Sequence, residues 1–72
     1  MEYLGMEFKN HEELINWSKE GNIEEYKKLA RMFDQNSTME LSIMMGKRAD
    51  VLHNRFNMSW EEIEKLEIEA IA

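Results

Sequence analysis

The chain contains no proline, and only three glycines, Gly5, Gly21 and Gly46, break its run of side-chain-bearing residues. Without proline nothing removes a backbone donor from a helix interior, so the fold turns on where helices start and whether the glycines stop them. Reading Gly21 and Gly46 as stops predicts a mainly α fold, a small helical bundle of four to five short helices. Seventy-two residues leave room for one core and predict a single domain over 1–72. A core of that size supplies roughly 3–5 kcal/mol of net stability. Cysteine is absent, which excludes disulfides and thiolate metal sites, and two histidines cannot build a zinc site alone. Self-association as a homodimer, or a partner, is then the remaining way to gain buried area.

Local signals place the elements. Tyr3-Leu4-Gly5-Met6-Glu7-Phe8 alternates, with Leu4, Met6 and Phe8 on one side of a short strand or frayed tail. Asn10 caps a first helix that carries Glu12 and Glu13 in its opening turn and ends at Gly21. Asn22, with Glu25 three residues on, has capping-box spacing and opens a second helix through Ile23, Tyr26, Leu29, Ala30 and Phe33. Ser37 or Thr38 starts a short helix to Met45, closed by Gly46, and another runs from Arg48 to Asn57. Ser59 and Glu62 repeat the capping-box spacing before a last helix with Trp60, Ile63 and Leu66 inward. Leu66-Glu67-Ile68-Glu69-Ala70 alternates as well, so the expected alternatives at the end are continued helix or a terminal β pairing with the N-terminal segment. Trp17 and Trp60 read as core anchors.

A glycine between two short helices is the punctuation of a helix-turn-helix, here over residues 22–58. Gly46-Lys47-Arg48-Ala49-Asp50-Val51-Leu52-His53-Asn54-Arg55-Phe56 resembles the last helix of Myb/SANT-type domains, with Asn22–Phe33 and Thr38–Met45 standing for the family's first two helices. The likeness covers about half the chain. It implies a three-helix DNA-binding fold whose last helix enters the major groove, with base-reading positions at Asp50, His53 and Asn54 and with Met58 a turn further on. Arg48 stands where the family has a threonine cap, Phe56 where it has tryptophan, and Asp50 brings negative charge toward the phosphates.

The residues give a similar picture by themselves. Ala49, Leu52 and Phe56 form an apolar stripe, which leaves Asp50, His53, Asn54 and Asn57 on the opposite face. Asn54 suits a bidentate contact to adenine, and Lys47, Arg48 and Arg55 suit flanking phosphates. An ordinary solvated face explains the same pattern. The formal net charge of −6 opposes phosphate binding. The deficit lies at the ends: five acidic side chains against Lys9 and Lys19 before residue 23, and five against Lys65 after residue 58.

Two function classes follow. One is a small DNA-binding transcriptional regulator of bacterial or phage type. The other is a non-enzymatic protein-interaction module, an inhibitor or adaptor, that docks through acidic ends and the methionine-rich helix. Adjacent Met44 and Met45 cannot both point inward, so one is available to a partner. No nucleophile elbow, phosphate loop or cysteine nucleophile is present, and the glutamate pairs lie in first turns of helices, where dipole effects explain them. No enzyme activity and no cofactor are expected. No window nears the roughly 20 apolar residues of a membrane span, and a cytoplasmic protein is the expectation.

Overall fold

The computed structural model describes residues 2–72. It holds a two-stranded hairpin, β1 (Glu2–Tyr3) and β2 (Met6–Glu7), followed by three helices, α1 (His11–Gln35), α2 (Met39–Phe56) and α3 (Trp60–Ile71). The expectation of four to five short helices is therefore wrong, and so is the helix-turn-helix over 22–58. Both glycines taken as stops lie inside continuous helices. Gly46 is an interior residue of α2, so no turn separates Thr38–Met45 from Arg48–Asn57; the one glycine with positive φ is Gly5.

The physical reason lies in competing magnitudes. A glycine in a helix interior costs only about 0.8–1 kcal/mol relative to alanine. Breaking α2 at Gly46 would separate Leu41 and Met45 from Ala49, Leu52 and Phe56, which together contribute one apolar stripe to the core. Full burial of one such large side chain is worth roughly 1.5–3 kcal/mol. Burial outweighs propensity. The same holds for α1, where Ile23, Tyr26, Leu29, Ala30 and Phe33 face the core below Gly21. Asn22 is consequently no cap: its Nδ2 donates to the Ser18 carbonyl one turn back, at 2.8 Å.

The other helix starts hold as read. Asn10 accepts the Glu13 amide at 2.9 Å and Thr38 accepts the Leu41 amide at 3.2 Å. Ser59 and Glu62 form a reciprocal capping box, each side chain bonded to the other's backbone amide at 3.1 Å. α2 ends on Asn57, whose φ of 56° is left-handed, and the Asn57 and Met58 amides both return to the Leu52 carbonyl, the latter at 3.2 Å.

The terminal pairing differs from the one expected. The N-terminal segment folds back on itself, with Glu2 opposite Glu7 and Tyr3 opposite Met6. Leu4 and Gly5 form the turn with φ of 53° and 77°, so Leu4 does not share a strand face with Met6 and Phe8. Residues 66–70 stay helical, because Leu66 and Ala70, one turn apart, both pack on the core. The hairpin rests on α1 through aromatic edges: Tyr3 and Phe8 approach Trp17 with ring centroids 6.2 and 5.5 Å away. Phe8 is buried, while Trp17 and Trp60 keep 36% and 53% of their surface exposed, so neither tryptophan is the enclosed core anchor expected.

α1 is the central element. α2 returns antiparallel along it, and α3 packs on it more extensively than on α2. Leu52, fully buried, sits in a cluster with Tyr26, Leu29, Ala30, Met45, Met58 and Ile63. A Lys27–Glu69 ion pair of 3.4 Å ties α1 to α3 at the surface. Tyr26 faces the same seam, where burial and then the charge of Glu67 push its phenol above the ordinary value. Among the described residues no helix is long and apolar enough to cross a membrane.

Candidate binding groove

α3 covers one flank of the α1–α2 pair and leaves the other open. On that open flank the ridge Ser18, Asn22, Glu25 and Leu29 of α1 runs beside Met44, Lys47, Arg48 and Val51 of α2, spaced i, i+3, i+4 and i+7 on a helix that has to pass through Gly46 without a break. Two depressions follow one another along the seam. The first, of about 260 Å³, is lined by Trp17, Ser18, Gly21, Asn22 and Arg48. The second, of about 200 Å³, is lined by Glu25, Leu29, Met44, Lys47, Arg48 and Val51. Arg48 belongs to both and divides them. Gly21 borders the first depression on open space, and a Cβ built there would meet nothing within 4 Å.

Arg48 is half-buried and linked across the seam: its Nη1 donates to the Asn22 side-chain oxygen, while Nε is buried without an acceptor. That bond joins residues 26 apart in sequence and pairs the cation with a neutral amide. Lys27–Glu69 is the ion pair found among the described residues, so the charge of Arg48 has no carboxylate against it.

The residues predicted to read DNA do not share one surface. Lys47, Asp50, Asn54 and Arg55 are exposed on α2. Arg48 turns into the seam with α1. Asn57 has left the helix as its left-handed cap. His53 is half-buried in the α2–α3 corner, stacked on Trp60 with centroids 4.1 Å apart and planes 20° from parallel. Its Nδ1 lies 2.8 Å from the Met58 carbonyl, which only accepts, so Nδ1 carries the proton in that contact. His53 and Trp60 together brace the short connection between α2 and α3. Met58, placed a turn beyond the base-reading positions by the family resemblance, is a buried core residue.

The two methionines named for partner binding divide. Met45 is 8% exposed and belongs to the core, whereas Met44 is 48% exposed and lines the groove. The sequence reading missed Trp17, Gly21 and Val51 as groove residues. Their signal was the i, i+4 continuation of each helix across its glycine. Among the described residues no cluster of three or more histidine, aspartate or glutamate side chains is placed to hold a metal ion.

Comparisons of the chain with protein-family models, with curated proteins and with solved structures find no match.

Proposed function

We propose that the protein is a non-enzymatic interaction module, an inhibitor or adaptor, which docks a protein partner in the α1–α2 groove. One observation carries this reading: α3 packs on one flank of the helix pair, while the other keeps Trp17 and Met44 exposed and Val51 half-buried around two adjoining depressions. Exposed apolar side chains scattered singly are ordinary, whereas here Trp17 and the Leu29–Met44–Val51 group line adjoining depressions on either side of Arg48, with polar residues around them. Met44 suits such a surface because its unbranched side chain adapts to a partner's shape.

Site-specific photo-crosslinking tests this. A photoreactive residue at Met44, in the groove, should yield one adduct of defined mass in the producing cell, and the same residue at Glu64, on the outer face of α3, should not. No adduct from Met44, or the same mixture from both positions, would end the reading.

DNA binding is the second reading. It is favoured by the exposure of Lys28, Arg31, Lys47 and Arg55, none of which has a carboxylate partner among the described residues. Its mechanism would be phosphate contact along α1 and α2 rather than insertion of a recognition helix. Arg48 is committed to Asn22, and Asp50 stands among the exposed groups of α2. Binding of mixed duplex DNA that weakens steeply with salt would favour this second reading over the first.

A further inference from the structure

We infer that the groove takes a carboxylate. Its occupant is a helical segment of a partner protein that seats an aspartate or glutamate against Arg48 and lays an aliphatic side chain, one turn away, over Leu29, Met44 and Val51. The inference rests on the docking reading above and gives the partner its chemistry.

Charge complementarity carries it. The chain as a whole is acidic, with a formal net charge of −6, yet the groove is lined by Lys47 and Arg48 against the single carboxylate of Glu25. Arg48 is the one charged residue lining the first depression. The half-buried Arg48 guanidinium is bonded to a neutral amide and forms no ion pair among the described residues, and its buried Nε–H lacks an acceptor. A buried donor left unpaired favours a ligand that supplies the missing acceptor. Asn22 holds Nη1, and the Nε–Nη2 edge of the guanidinium is the edge that takes a carboxylate side-on with two hydrogen bonds, a geometry that arginine favours. Gly21 leaves the room for it.

Glu25 fixes the direction. It lines the second depression and repels an acid there, so the carboxylate belongs at the Trp17–Gly21 end and the aliphatic group at the Leu29–Met44 end. Groups one turn apart on a helix face stand roughly 5–6 Å apart, which suits two adjoining depressions that share Arg48.

The test is an NMR titration of the whole protein that follows the Arg48 Nε–H and the Trp17 indole N–H. The probe is a helical peptide of about 15 residues with one glutamate four residues before one leucine in an otherwise neutral background. Both resonances should shift and saturate, and the glutamine counterpart should bind about tenfold more weakly, the loss of one charge-assisted contact. Equal binding of the two peptides, or shifts confined to the His53–Trp60 corner, would overturn the inference. So would a larger shift of Arg48 with duplex DNA at the same concentration.

Because Arg48→Ala also removes a bond between helices, Gly21→Leu is the cleaner variant. It should keep the circular dichroism of the native protein and lose the glutamate peptide; retained binding by folded Gly21→Leu refutes the site. Shifts at Arg48 that grow with protein concentration alone, and vanish in Glu64→Lys, would assign the groove to α3 of a second copy and likewise refute a separate partner. If Met44 still crosslinks to one partner while the glutamate peptide leaves Arg48 unmoved, the carboxylate assignment fails and the docking reading stands. If both are silent, both fail.

Discussion

The two flanks of the α1–α2 pair are built from the same helices and have opposite fates. On one flank Tyr26, Ala30, Met45 and Leu52 meet Ile63, with the partly buried Leu66 and Ala70 packed against them. On the other, Leu29 belongs to the core and borders the second depression, while Met44 and Trp17 stand half open beside Arg48. The polar groups differ in kind as well. The closed flank is trimmed by a salt-bridged pair at its rim, Lys27 and Glu69, while the open flank holds a cation bonded to an amide. The closed flank is where burial makes stability, and the proposed docking role falls on the open one.

The sharpest contrast should come from truncation. Leu52→Ala removes the one fully buried large side chain and should destabilise by about 2–5 kcal/mol, comparable to the roughly 3–5 kcal/mol such a domain commands. Urea titration followed by circular dichroism should find it largely unfolded in buffer. Ile63→Ala, on the closed flank, should fall in the same range of about 2–5 kcal/mol, whereas Met44→Ala on the open flank should change stability by no more than about 0.5 kcal/mol. Equal losses on the two flanks would break the comparison, because they would mean that Met44 is buried in the protein as it exists in solution.

A smaller effect separates the start of α3 from the rest. Ser59→Ala removes the capping side chain and should lower stability by about 1 kcal/mol. Acid should act at the same point. Hydrogen bonds from the Ser59 backbone and then from its side chain hold the Glu62 carboxyl below its ordinary value of 4.5, assisted by Lys19 and Lys65. A depressed carboxyl contributes stability that is complete above the unfolded value and is lost as pH falls through the folded one. Thermal unfolding below pH 4.5 should therefore lose this contribution, and Glu62→Gln should lose its pH dependence while starting less stable.

What was legible in the sequence was local. Asn10, Thr38 and the Ser59–Glu62 pair announce helix starts because the capping bond spans three residues and needs no tertiary partner. The stripe Ala49, Leu52 and Phe56 was equally readable, as a periodicity within one helix. The glycines misled because their penalty is also local, whereas the burial that overrides it comes from contacts between helices. Asn22 and Glu25 show the same limit: their capping-box spacing lies within a continuous helix, and Asn22 instead receives Arg48 from 26 residues away. That long-range bond also turned a residue read as a phosphate contact into the centre of a groove. The groove itself could not be read, since it is defined by where α3 does not pack.

All of this depends on α2 passing through Gly46 as one helix, since only then do Met44, Lys47, Arg48 and Val51 stand in one line along α1. The stability of Gly46→Ala tests it directly. In an uninterrupted helix, with open space where the Cβ would go, alanine should raise stability by about 0.8–1 kcal/mol and the melting temperature by roughly 4–8 °C per kcal/mol. A left-handed turn at that position would reverse the sign, because alanine is strained there, and a lower melting temperature for Gly46→Ala would contradict the account.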